Sequence, residues 1–181
     1  STDADLIQEA DYMLVYSAYE QGRPNAVELL KDYLDVYPAS RHADEVNFLI
    51  GSAHFGQGEY QKAIFWFNES NIDMLSPEQQ EAYCFRLAYS LLQIGDMEKA
   101  RGYFARIEQI GTKYREASTY YVAYMDYATG KYNNALVEFT RLKDLPDYKE
   151  RSLYYITQIY FIQNKYEKVI SEGKELLASY P

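Results

Sequence analysis

The side chains that could do chemistry are few. His42 and His54 are the only histidines, twelve residues apart, and neither belongs to an HExxH pair. Zinc needs several N, S or O ligands at set spacings, so this pattern predicts no metal site. Cys84 is the single cysteine. A thiol becomes a nucleophile when a neighbouring base or cation lowers its pKa. No histidine is spaced to do that, and Cys84 falls on the inward side of its helical pattern, as a core thiol does. His54 and Asp126 hold equivalent places where two helices meet. A buried polar group there needs a hydrogen-bond partner, so both read as structural. Gly111-Thr112-Lys113 lacks the upstream glycine of a phosphate loop. Asn68-Glu69-Ser70 matches the glycosylation sequon but lies inside a helical pattern. These residues assemble no catalytic constellation and imply no cofactor.

The residue in excess is tyrosine, with 21 among 181 residues. Its ring supplies contact area and its hydroxyl a hydrogen bond, which suits recognition better than catalysis. Lys and Arg number 18 against 27 Asp and Glu, for a net charge of -9. Without a basic stripe, such a chain is repelled by nucleic acid. The densest charge cluster, Asp147 to Arg151, is mixed in sign and reads as a solvated helix end. One cysteine allows no intrachain disulfide. No apolar run approaches the roughly 20 residues of a membrane span. The chain opens Ser1-Thr2-Asp3, without a signal peptide or initiator Met, as a processed or excised chain would.

The elements that position these residues are helical. Apolar residues recur at three and four residue intervals, as in Leu14 and Ala18 or Leu87, Ala88 and Leu91. No Asn-Gly or Asp-Gly turn and no sustained alternation marks a strand. Gly22, Gly58, Gly95 and Gly130 each end one helix shortly before the next begins, and Pro38, Pro77 and Pro146 separate pairs. Ser76-Pro77-Glu78-Gln79 has the form of a capping box. Asp147 with Glu150 repeats that spacing, and Ser40 is placed to cap the helix after Pro38. These signals predict ten helices in five hairpins: 4–20 and 24–37, 41–56 and 60–72, 77–94 and 97–109, 115–129 and 132–143, 148–163 and 166–180.

The hairpins repeat. GEYQKAIFWF at 58–67 has relatives at 95–104, 130–139 and 164–173, and a looser one at 22–30. A period of 34 to 37 residues is the mark of a stacked array. Counted from the anchors Ala26, Ala63, Ala100, Ala135 and Val169, the repeats run in phase. A turn residue lies five before (Gly58, Gly95, Gly130, Asn164), and a small residue twelve before (Gly51, Ala88, Ala123, Thr157). An aromatic lies four after (Phe67, Phe104, Phe139). The small residue lets two helices approach and the aromatic fills the gap between hairpins. Repeat one is one residue short in its turn, and Gly173 replaces the last aromatic.

This pattern resembles the tetratricopeptide repeat (TPR) over nearly the whole chain. The resemblance implies an all-α fold: a right-handed α-α superhelical solenoid of about five TPR-like hairpins. It implies one domain over 1–181, with repeats near 4–38, 41–75, 77–112, 115–146 and 148–181. The stretch 37–67, with Tyr37, Pro38, Ser40 and Ala43 joining two repeats, looks like bacterial cell-envelope TPR proteins and implies a periplasmic or envelope-associated origin.

In TPR proteins the first helix of each hairpin lines the concave face, at positions 15, 11 and 8 before the anchor. Those positions here are Tyr12, Tyr16 and Tyr19; Phe48, Ser52 and Phe55; Phe85, Tyr89 and Leu92; Tyr120, Tyr124 and Tyr127; Tyr154, Gln158 and Phe161. Twelve of these fifteen are aromatic, against 17 % of the whole chain. The resemblance therefore implies a non-enzymatic scaffold whose aromatic groove holds a peptide or partner segment. The structural alternative packs these rings between neighbouring first helices. A clamp for a C-terminal carboxylate uses Lys and Asn on this face, and the chain has neither there. Saccharide stacking would need more Asn, Asp or Arg in the groove, and RNA binding is opposed by the charge. Val169, Ile170, Leu176 and Leu177 give the last helix an apolar surface without a following repeat. That surface, and the closing Tyr180-Pro181 of a repeat linker, fit a section of a longer array or self-association through the C-terminal repeat.

Overall fold

A left-handed residue closes the first helix of every hairpin. Gly22, Gly58, Gly95 and Gly130 have φ of 63, 73, 90 and 77°, and Asn164 follows at 58°. Glycine tolerates this conformation because it has no Cβ, and asparagine is the usual substitute. At each site the next residue's N–H reaches back five residues to a helical carbonyl: Arg23 to Ala18, Glu59 to His54, Asp96 to Leu91, Lys131 to Asp126 and Lys165 to Tyr160. These are Schellman caps, and they turn the chain into the second helix of each pair.

The computed structural model describes residues 2–179. Among them are ten α-helices and no strand: α1 Thr2–Glu20, α2 Ala26–Val36, α3 Ala43–Gly56, α4 Tyr60–Asn68, α5 Pro77–Gln93, α6 Met97–Ile110, α7 Arg115–Ala128, α8 Tyr132–Leu142, α9 Lys149–Ile162 and α10 Tyr166–Ala178. Tyr180 and Pro181, read above as the linker to another repeat, lie outside the described residues. Ser76 and Gln79 form the expected capping box, with reciprocal bonds of 3.3 and 3.0 Å. Asp96 adds an unforeseen cap, accepting from the Lys99 N–H at 3.2 Å.

Three local expectations are corrected. Asp147 does not cap α9: the Tyr148 N–H bonds Leu145, which puts Tyr148 in the cap position and Asp147 one residue too early. Ser40 does not cap α3, whose cap position is His42. Its hydroxyl instead accepts from the His42 N–H at 3.0 Å and pairs with the Tyr33 hydroxyl at 2.7 Å. Helix α4 stops at Asn68 rather than 72, because Asp44 captures the chain. The Ser70 hydroxyl donates to the Asp44 carbonyl and the Asn71 N–H to its carboxylate, each at 2.7 Å. A 3-10 turn over Ile72–Met74 follows.

The helices group into two compact units, Ser1–Gly111 and Thr112–Pro181. The first holds α1 to α6 and the second α7 to α10. In both, consecutive helices pack on one another. Ala63, Ala100 and Ala135 are fully buried, as are Phe67 and Phe139, and Phe104 is 1 % exposed. In the second unit Ala123, Ala135, Phe139, Ile156 and Ile159 form the core. The last repeat departs as its sequence does. Val169 is only half-buried, no described residue of α10 is buried, and Ile170 and Leu177 are 59 % and 72 % exposed.

Gly51 shows how tight the hairpin contact is. A methyl group there would meet the Phe67 ring at 2.7 Å, although Ala88 and Ala123 carry that methyl in the next repeats. Gly51→Ala is expected to destabilise the chain by about 1–2 kcal/mol, since overpacking against a buried ring outweighs the better helix propensity. Ala88→Gly is expected to cost about 1 kcal/mol for the opposite reason. Urea unfolding midpoints check both.

Candidate partner-binding face

The first helices carry the aromatic residues singled out above, and the structure sorts them by what they touch. In α1 the Tyr12 ring stacks on His42 at 3.6 Å and 4°, and its hydroxyl donates to Glu45 at 2.6 Å. His42 lies 2.9 Å from Glu9, which also receives Arg41 at 2.6 Å. His42 is thus tied into an ionic cluster that joins α1 to α3. Hydrogen bonds from His42, then Arg41, hold the Glu9 carboxyl below its ordinary value. Tyr16 and Tyr19 are half-buried beside Tyr12.

Phe55 of α3, Tyr60 of α4 and Tyr89 of α5 meet as a trio with centroids 5.7 to 6.2 Å apart. Phe85 packs edge-on against Phe104 at 6.0 Å. Phe48 is buried at 4 %, beneath the Arg86 guanidinium 5.6 Å above its ring. Of the polar and aliphatic exceptions, Ser52 accepts from Arg86 at 2.6 Å and Leu92 is buried. A recess of about 210 Å³ opens here between Tyr16, Tyr19, Phe48, Gln79 and Arg86.

In the second unit Tyr120, Tyr124 and Tyr127 of α7 surround one ring, Tyr155 of α9, at 6.4, 5.9 and 5.0 Å. Tyr155 in turn stacks on Phe139 at 4.9 Å and 11°. Gln158 is half-buried. Tyr154 and Phe161 stand 50 % and 60 % exposed.

Arg86 and Tyr155 were missed from sequence. Both lie fourteen residues before their anchors, in the register of Leu49 and Tyr121. Each reaches back over the preceding first helix, Arg86 to Ser52 and Phe48, Tyr155 to Tyr120 and Tyr124. The register was readable, but its residue types vary, so composition did not mark it.

The remaining candidates are buried. Cys84 is fully buried, and burial pushes its thiol up to about 11, away from a reactive thiolate. His54 places Nδ1 2.6 Å from Glu59, while its buried Nε2 has no hydrogen-bond partner, so only one of its two nitrogens is satisfied. Asp126 is buried at 5 %. Ser70 of the sequon donates its hydroxyl to Asp44. Among the described residues no group of three His, Cys, Asp or Glu could hold a metal ion, and no helix is long and apolar enough to cross a membrane.

Residues 81–109, within repeat three, match the family model of the tetratricopeptide repeat. The structure superposes on solved helical-repeat proteins. One comprises nearly identical TPR-like repeats of a kinesin light chain protein from Podosopora anserina, at a TM-score of 0.63 and 16 % identity, covering 94 % of this chain and 93 % of the other. MamA superposes at 0.70 and 16 % identity, over 90 % and 91 %. PilF of Pseudomonas aeruginosa does so at 0.61 and 19 % identity, over 98 % and 93 %. The fold is that of a TPR array. No curated protein matches the sequence.

A TPR array is a scaffold for protein–protein interaction, and this fold points to a protein partner. Its tyrosines also tie TPR packing to pH. Burial raises the phenols of Tyr12, Tyr83 and Tyr120 above their ordinary value, with the Glu45 bond adding at Tyr12. A group raised on folding contributes stability that is complete below its unfolded pKa, about 10 for tyrosine, and is lost as pH climbs toward the folded value. Helix loss and phenolate absorbance are therefore expected to rise together above about pH 10. Complete phenolate formation with the helices intact would refute this.

Proposed function

We propose that this chain is a non-enzymatic scaffold that holds an extended segment of a protein partner on the aromatic faces of the first helices within a unit. One observation carries the reading: of the twelve aromatic residues at these positions only Phe48 is buried, and the other eleven keep surface toward solvent. Their rings are braced by one another, as in the Phe55–Tyr60–Tyr89 trio. A braced ring loses little freedom on binding, so its contact area converts more fully into affinity. Extended peptides present alternate side chains to such pockets. Outside the recess at Arg86, few polar groups converge on these faces, which favours a peptide over a saccharide.

Tyr154 and Phe161, the most exposed of the twelve, and the half-buried Tyr16 at the recess offer the cleanest test. Among peptides selected from a displayed random library, those held by the first unit are expected to bind a Tyr16→Ser protein about tenfold more weakly, and those held by the second a Tyr154→Ser, Phe161→Ser protein, with circular dichroism unchanged. Undiminished binding by both folded variants would remove the groove reading.

A second reading, assembly into a larger array, is favoured by uncovered apolar side chains at two helices. Leu14 of α1 is 69 % exposed, whereas Ile50, Leu87 and Ile156 in the same register are at most 1 % exposed. Ile170 and Leu177 of α10 are equally open. A second copy that packs α1 on α10 would cover both, as neighbouring repeats cover each other. Sedimentation equilibrium should show a mass that rises with concentration and falls back in Leu14→Glu and Leu177→Glu. A wild-type monomer at every concentration would exclude it.

A further inference from the structure

The recess of the first unit contains a cation without a counter-ion. Arg86 of α5 is half-buried. Its Nη1 donates to the Ser52 hydroxyl at 2.6 Å and its guanidinium lies over the Phe48 ring at 5.6 Å. Arg41 is paired with Glu9 at 2.6 Å, Arg106 with Asp73 at 3.9 Å and Arg141 with Glu138 at 3.8 Å, while Arg23 and Arg151 form no ion pair with a described carboxylate but are exposed to solvent. Among the described residues no carboxylate forms an ion pair with Arg86. Unlike Arg23 and Arg151, Arg86 is partly withdrawn from the solvent that would screen it, in a chain of net charge -9.

A guanidinium is charged at any physiological pH and has five N–H donors. Ser52 takes one. Drawing the group out of bulk water is costly unless it is paired, so a ligand that pairs it recovers that cost. Glu20 and Glu78 also line the recess. Both are exposed, where solvent screens them. The Arg86 charge sits deeper, against an aromatic wall, where a Coulombic interaction is stronger. Ser52 and Phe48 hold the planar fork in place, which suits two parallel bonds to one carboxylate.

We propose that Arg86 receives the carboxylate of an Asp or Glu side chain in the partner segment, whose neighbouring residue packs against Tyr16 and Tyr19. This rests on the scaffold reading and names the chemistry of the partner. It is a single acidic side chain within an extended stretch, held at an internal position rather than at a chain terminus.

The test uses a displayed library of random peptides and the full chain. The wild-type protein is expected to enrich peptides with Asp or Glu at one fixed position. Changing that residue to its amide should weaken binding about tenfold or more, Arg86→Gln should weaken it similarly, and the two changes together should cost little more than either alone. Arg86→Lys should restore part of the affinity. Because the peptide is altered as well as the protein, a folding defect in Arg86→Gln does not rescue the idea. Selected peptides without an acidic preference, or losses that simply add, would overturn it while leaving the scaffold reading intact. Acidic residues required only at the peptide C-terminus would show a terminal carboxylate site instead, and overturn it too. If the wild-type protein enriches no peptide, the scaffold reading itself falls.

Discussion

The three central hairpins depend on one contact, the close approach of two helices at a small residue, plugged by an aromatic ring four residues after the anchor: Phe67, Phe104 and Phe139. At repeat two the approach is so close that the Phe67 ring occupies the space a Gly51 methyl would need. Protein interiors are packed like crystals, so such a contact has one low-energy arrangement. It sets the register of the hairpin, and the register sets which side chains of the first helix face outward. Tyr16, Tyr89 and Tyr124 share a type of surface because Ala26, Ala100 and Ala135 share a type of core. The turns serve the same contact. Five Schellman caps with a left-handed Gly or Asn turn the chain from the first helix into the second in every hairpin.

That constraint also explains how packed rings and open rings occupy the same set of positions. A ring at a first-helix position has one edge against its neighbours and one toward solvent. Tyr12 spends its hydroxyl on Glu45 and its face on His42, so it serves packing first. Phe48 lies under Arg86 and yields its surface to that cation. Tyr154 and Phe161 remain largely open. The aromatic excess is therefore a graded surface, from fully committed rings to available ones. The grading depends on what the next first helix sends back across the face.

Much of this was legible in order of residues. Gly58 and its counterparts announced turns because only a residue without a large Cβ penalty tolerates positive φ, and Asn164 stood in for glycine on the same ground. Ser76 with Gln79 capped α5 because every partner of that box is local. Asp147 had the same spacing and failed, since the turn from Leu145 shifted the helix start to Lys149. Helix α4 ended early because Asp44, more than twenty residues away, captured Ser70 and Asn71. The errors fall where a distant residue or a shifted turn outcompeted a local signal.

By itself the sequence determined the helical repeat, its phase, the buried alanines and phenylalanines, and the set of aromatic positions on the first helices. Those follow from periodicity and turn chemistry, which act over a few residues and leave a mark in residue types. Only the tertiary structure decided that Arg86 bonds Ser52 over the Phe48 ring, that Tyr155 joins Tyr120, Tyr124 and Tyr127, and that Phe48 is covered while Phe161 is open. Those contacts join successive repeats. Their energy depends on distances across about thirty residues of chain, and no local pattern of residue types records them.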